Sequence, residues 1–341
     1  MRPLHRFIPA QFHNPAGLAL RLLRTRDPDA YGAIGQAVLG ALLTPLDLAL
    51  TVAEEKRYAA AAPPRLPIVL VCGPPRSGTT LVAQQLIQRL PVAYFSNLVG
   101  IFPRAPLTAS RLAGRVGARW RGTLGSYYGR ARSLAAPSDA LPLWDRWFGH
   151  DRNLLRSSLT RSEQDAMRHF FGAREADDPR PLIAKNNRLN GQAALVSDVL
   201  PTARYLCLER DPVFLAQSLL LARQEISGDE GRAYGLHRVE EESGLSPVES
   251  VCAQVMFHER LAATQQALLG PERFWRVSYE QFCADPAALV ARVAQELLGL
   301  PVAAPRTPPL APFTVSRQNR LPAGMLQQIE DTFLRLGRRS A

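Results

Sequence analysis

The 341-residue sequence predicts an α/β fold: a P-loop-like parallel sheet flanked by helices, with helical insertions and an N-terminal helical extension. Three observations carry this. Short, continuous apolar runs recur at Ile68–Cys72, Pro181–Lys185, Tyr205–Leu208 and Trp275–Val277, as buried parallel strands require. Helical patterns separate these runs, so the strands connect by crossovers. A Gly/Pro-rich turn follows the first run and opens an amphipathic helix. A composition of 46% hydrophobic and 21% charged residues excludes a disordered chain.

The elements follow in order. Residues 1–30 carry Pro3, Pro9, Pro15 and Pro28 and are expected to be irregular. Tyr31–Ala53 is mostly apolar but is interrupted by Gln36, Pro45 and Asp47, which spoil it as a membrane span. Two short helices are expected there, either docked on the domain or lying on a membrane surface. Ala59–Pro64 reads as a linker, which divides the chain into an extension with linker, 1–62, and a main domain, 63–341. The first strand, at Ile68–Cys72, leads through the turn to a helix near Thr79–Arg89, with Leu81, Leu86 and Ile87 at helical spacing. Residues 101–180 read as irregular and helical, with aromatic pairs at Tyr127–Tyr128 and Trp144–Trp147. The run Pro181–Lys185 is the second strand, and a helix is expected over Arg188–Leu200. The third strand ends at Glu209-Arg210-Asp211-Pro212, where a further helix begins and continues through Leu221; the fourth is Trp275–Val277.

Charge is distributed unevenly. The net charge is +11, and 39 of the 41 basic residues are arginines, the others being Lys56 and Lys185. From Lys56 to Ser138 there is no Asp or Glu, yet there are twelve basic residues, Arg119, Arg121, Arg130 and Arg132 among them. The remainder holds 29 basic against 30 acidic residues, so the excess is regional. Arginine forks suit oxyanions such as phosphate and sulfate. Cys72, Cys207, Cys252 and Cys283 lie too far apart in sequence for a zinc or redox pair, and no His/Cys/Asp/Glu cluster has metal-ligand spacing, so no metal is expected. Met1–Ala10 has no apolar h-region. A reducing, cytoplasmic location follows, with peripheral contact at the inner face of the membrane as the alternative.

Residues 73–80 read Gly-Pro-Pro-Arg-Ser-Gly-Thr-Thr. The spacing is that of a nucleotide-binding phosphate loop, in which glycines let backbone N–H groups approach a phosphate at a helix N-terminus. Thr80 fills the usual Ser/Thr place, but Thr79 stands where a triphosphatase has lysine. A ligand with a single 5′ anionic group fits better, with Arg76 supplying the missing charge.

With this loop the sequence resembles the sulfotransferases that use 3′-phosphoadenosine 5′-phosphosulfate (PAPS), over about residues 66–336. The resemblance assigns Arg76, Ser77, Gly78, Thr79 and Thr80 to the 5′-phosphosulfate. It assigns Arg210, at the end of a strand, and Ser218, eight residues on, to the 3′-phosphate. Arg276-Val-Ser-Tyr279-Glu is similar to the family's strand and Tyr-Glu turn, which puts Tyr279 at the adenine side. Thr314–Arg320 resembles the late basic loop over the 3′-phosphate, through Arg317 and Arg320. Lys185 stands at the place of a lysine that reaches the transferring group, although Asn186-Asn187 replaces the usual Thr-Pro after it.

Transfer to a hydroxyl also needs a base. One branch of the family carries a glutamate about twenty residues after the loop, but here that region reads Tyr94-Phe-Ser-Asn-Leu98. The first carboxylate after the loop is Asp139, similar to a Pro-x-Glu position in related bacterial enzymes; His150 is the second candidate. Asp145 is expected to pair with an arginine. The implied activity is transfer of a sulfuryl group from PAPS to a hydroxyl or amine acceptor, such as a glycan or lipid, shaped by residues 95–180 and 223–250. The alternatives are a P-loop nucleotide kinase and a basic protein binding nucleic acid or a membrane surface. No nucleic-acid motif supports the latter.

Overall fold

The computed structural model describes residues 15–115, 120, 133–238, 244–301 and 310–339. Tyr127–Tyr128, Arg119, Arg121, Arg130 and Arg132 lie outside the described residues. One sheet of five parallel strands forms the centre: β1 (Ile68–Cys72), β2 (Ala93–Tyr94), β3 (Leu182–Lys185), β4 (Ala203–Glu209) and β5 (Phe274–Ser278), in the order β2-β3-β1-β4-β5. The helices are α1 (Pro15–Arg24), α2 (Pro28–Leu42), α3 (Thr44–Ala59), α4 (Thr79–Arg89), α5 (Asn97–Ile101), α6 (Pro106–Arg115) and α7 (Leu141–Phe148). They continue with α8 (Arg161–Asp177), α9 (Ala193–Ser197), α10 (Pro212–Ala222), α11 (Pro247–Leu269), α12 (Tyr279–Ala284), α13 (Pro286–Arg292) and α14 (Met325–Arg339).

β1 is buried along its whole length, as its Ile-Val-Leu-Val-Cys run requires. Its side chains alternate between two cores. Ile68, Leu70 and Cys72 meet the aromatic layer of α7 and α8, built from Trp144, Trp147, Phe148, Phe170 and Phe171. Val69 and Val71 meet Val82 and Leu86 of α4, with Phe282 and Leu289 beyond.

The register sets up the site. Val71 pairs with Lys185, and Cys72 with Cys207, so β3, β1 and β4 end side by side. From β1 the chain runs out to β2 and β3 on one side, then crosses to β4 and β5 on the other. Such a switch point leaves a crevice at the strands' carboxyl ends.

Several local expectations change. Part of the N-terminal stretch is helical: α1 forms, and Arg21 Nη2 donates to the Ile226 carbonyl at 2.7 Å. Pro28 does not break structure, since it occupies the first turn of α2, where its missing N–H costs nothing, and Asp27 caps that helix. The Arg188–Leu200 region is a 3₁₀ turn at Asn187–Asn190 followed by the short α9, with Gly191 between them. The two-residue β2 is too short to leave a sequence pattern. Asp47 is buried, and its carboxylate accepts the backbone N–H groups of Arg104 and Ala105 at 3.2 and 3.1 Å. Glu54 accepts those of Leu107 and Thr108 at 3.0 and 2.8 Å. Thus Glu54 of α3 caps the acid-free start of α6, worth about 1 kcal/mol, while Asp47 ties down the segment leading into it. α2 and α3 are docked on the domain through Leu39, Leu43 and Leu50, against Ile101, Phe102 and Ala109.

Candidate active site

The phosphate loop leaves β1 at Gly73 and enters α4 at Thr79. Gly73, with φ +137°, passes so close to the Leu208 backbone that a Cβ would collide with it. Gly78, with φ +95°, is the N-cap of α4 and lies flat against the Tyr279 ring. Arg76 adopts φ +72°, a conformation unfavourable for a side-chain-bearing residue. Ser77 is buried and donates to the Pro74 carbonyl at 2.8 Å, which tightens the turn.

The loop gathers the residues that the resemblance singled out. Arg76 Nε donates to Ser218 Oγ at 3.1 Å, across 142 positions of sequence. Arg210, one residue past β4, donates through Nη1 to the Arg76 carbonyl at 3.0 Å. Its guanidinium carbon stands 5.1 Å from the Tyr279 ring centre. The Arg210 Nε is buried and has no hydrogen-bond partner among the described residues, so a donor of this cation is left unsatisfied beside the loop. Burial pushes the Tyr279 phenol up to about 12, so the ring stays neutral beside the loop. The residues present therefore fit a nucleotide carrying two separate anionic groups, with one at the loop and one at Arg210 and Ser218.

Arg317 and Arg320 are exposed on the late loop. Their loop is fastened beside Ser218 by Gln217, whose amide donates to the Gln318 carbonyl at 3.0 Å and accepts from the Arg320 N–H at 2.9 Å. Phe313 stacks on Phe282 with ring centres 5.8 Å apart, anchoring the other end.

On the other side of β1, the Lys185 ammonium lies 2.5 Å from the Asp139 carboxylate. Lys185 is nearly buried at the end of β3. A small void beside the pair is lined by Thr80 of the loop, Ser138 and Lys185. Thr79 donates to Asn187 Oδ1 at 3.2 Å, linking the loop to the turn after Lys185.

His150 is placed elsewhere. Its side chain is 70% exposed and 3.9 Å from the Asp145 carboxylate. Asp145 is itself clamped by Arg152 at 2.9 Å and Arg188 at 3.0 Å. Arg188 also donates to the carbonyls of Phe148, Gly149 and Asp151. That cluster fixes the end of α7, as expected for Asp145.

The acids at the end of β4 are committed. Glu209 pairs with Arg276, and Asp211 caps α10 by accepting from Val213 and Phe214. Among the described residues, no group of three or more His, Cys, Asp or Glu could hold a metal ion.

The sequence profile of the sulfotransferase family matches residues 67–304. The chain belongs to the sulfotransferase family. This sulfotransferase is similar in fold to sulfotransferase STF9 from Mycobacterium avium, with a TM-score of 0.56 and 16% identity over 90% of this chain and 86% of that one. It is also similar to STF1 from Mycobacterium tuberculosis H37Rv, with a TM-score of 0.51 and 16% identity over 93% of this chain and 90% of that one. No curated protein matches the sequence significantly.

Two residues of this sulfotransferase's site escaped the sequence reading. Asn187 is hidden in the Asn-Asn pair that replaces Thr-Pro. Gln217 carried a usable signal, since it is a lone amide in an apolar helix, next to Ser218. The contact of Gly235 with Pro75, which lays the segment after α10 against the loop, had no local signature.

Proposed function

We propose that the enzyme transfers a sulfuryl group from PAPS to a hydroxyl or amine acceptor, a glycan or a lipid, with Asp139 as base and Lys185 as its electrostatic partner. PAPS supplies the sulfuryl group and departs as adenosine 3′,5′-bisphosphate. The observation that carries the reading is the convergence of the Lys185–Asp139 pair and the Arg76–Ser218–Arg210 group on one phosphate loop.

The backbone N–H groups of the loop and the start of α4 hold the 5′ side, with Ser77, Gly78, Thr79 and Thr80. Arg76 takes the place of the absent lysine charge. Arg210, Ser218, Arg317 and Arg320 hold the 3′-phosphate, and Tyr279 flanks the adenine. Lys185 neutralises charge that grows on the oxygens during transfer, an effect worth about 10²–10³ in rate. Asp139 accepts the acceptor's proton at a carboxylate oxygen, worth about 10²–10⁴. His150, exposed beside the Asp145 clamp, is the weaker candidate. Residues 95–180 and 223–250 shape the acceptor side, of which 116–119, 121–132 and 239–243 lie outside the described residues. Four buried free cysteines suit a reducing compartment.

The kinase alternative needs a lysine in the loop and an acid free to hold magnesium at the end of β4. Thr79 replaces the lysine, and Glu209 and Asp211 are engaged by Arg276 and the start of α10. Titration calorimetry separates the readings: adenosine 3′,5′-bisphosphate should bind, and ATP·Mg²⁺ should bind far more weakly. The reverse order would support the kinase.

A further inference from the structure

We propose that the outward face of α2 and α3 rests on an anionic lipid surface. The proposal uses no part of the sulfuryl-transfer reading.

Every exposed position between residues 31 and 53 is apolar or glycine. On α2, Tyr31, Gly35, Val38 and Leu42 recur at helical spacing, and Leu42 is 71% exposed. On α3, Leu48 and Val52 share a face, and Val52 is 62% exposed. The only charged side chain in the stretch, Asp47, is turned inward and bonds the backbone leading into α6. The inward faces already pack on α5 and α6 through Leu39, Leu43 and Leu50. The outward apolar face is therefore surplus to the core. Contiguous exposed apolar surface of this kind marks an interaction site.

The surroundings choose the occupant. Arg24 and Arg26 are exposed just before α2, and Lys56 is exposed near the end of α3. Arg104 and Arg111 are exposed beside α5 and on α6, within the acid-free stretch. Asp27, which caps α2, Asp29 in its first turn and Glu55 are the opposing acids not buried in this segment. Exposed basic residues on the elements next to an apolar face match anionic headgroups over acyl chains. A second copy of the face would bring like charges together, which disfavours self-association. Neither helix is long enough to cross a bilayer, and the pair meets at 67°. Such a bent pair lies in the interface plane, with its apolar side a few ångströms deep. Arg21 of α1 grips the Ile226 carbonyl, so the same extension is joined to the segment running toward Pro75 of the loop.

The test is sedimentation of the full chain with vesicles of phosphatidylcholine alone and with added phosphatidylglycerol. Binding to the anionic vesicles is expected, falling steeply with salt. The variant Leu42→Glu/Val52→Glu, changed only at exposed positions, should keep its unfolding temperature and lose about tenfold or more of that binding. Failure of the natural chain to sediment with anionic vesicles overturns the proposal. So does undiminished binding by the folded variant. A lipid-free dimer that the variant converts to monomer would assign the face to a second copy instead.

Discussion

Lys185 and Asp139, 46 positions apart in sequence, form a 2.5 Å ion pair between the end of β3 and the residue pair preceding α7. The pair stands beside Thr80 of the phosphate loop. The buried ammonium needs a counter-charge, and the carboxylate that supplies it stays partly exposed to solvent. Asp139→Asn should lower kcat about 10²-fold or more while leaving affinity for adenosine 3′,5′-bisphosphate nearly unchanged. Lys185→Arg should not restore the activity lost in Lys185→Met, because a planar fork does not replace a compact point charge. Steady-state kinetics with calorimetry on each variant checks both. Full activity in Asp139→Asn together with loss in His150→Gln would move the base to His150.

The Arg76–Ser218 hydrogen bond predicts coupled effects at the nucleotide site. Arg76→Ala, Ser218→Ala and Arg210→Ala should each weaken adenosine 3′,5′-bisphosphate binding, by about tenfold for the arginines. The Arg76→Ala/Ser218→Ala double variant should lose less than the sum of the singles, since the two share one network. Calorimetric double-mutant cycles measure this directly.

Gly78→Ala places a methyl group in the Tyr279 ring and a side-chain-bearing residue at φ +95°. A stability loss of at least about 1 kcal/mol is expected, with nucleotide affinity falling further as the loop shifts. Tyr279→Ala should relieve the collision and recover part of the stability, which thermal unfolding would detect.

His258 predicts a pH effect on stability. It is fully buried, bonded to Asn190 and to the Leu236 carbonyl, and burial pulls its pKa down to about 4. The unfolded chain takes up this proton near pH 6.5, before the folded protein does. Stability from this group is therefore complete above about 6.5 and is lost as pH falls toward 4, with a slope of up to about 1.4 kcal/mol per unit. Denaturant unfolding across that window should show the loss, and the His258 imidazole resonances should not titrate above about pH 5.

Much of the architecture was legible because buried strands and a glycine loop leave local marks. Ile68–Cys72 and Thr79–Arg89 fell where their apolar patterns put them. Arg210 and Ser218 stood out through the family resemblance, and in the fold both bond to Arg76. The two-residue β2 carries no period, and α1 was obscured by flanking prolines that helices accept in their first turn. Asp47 read as an interruption because its partners, the N–H groups of Arg104 and Ala105, lie far away in sequence. Contacts of that kind, including Thr79 with Asn187 and Gly235 with Pro75, exist only once the chain has folded.

The most direct test is transfer of labelled sulfur from PAPS to extracted glycans and lipids, by the natural chain and by Asp139→Asn. Labelled product with the natural chain, and about a hundredfold less with the variant, is the expected result. Equal labelling by both proteins would contradict the role of Asp139. No labelling of any acceptor, with no binding of adenosine 3′,5′-bisphosphate, would contradict the PAPS-dependent reading itself.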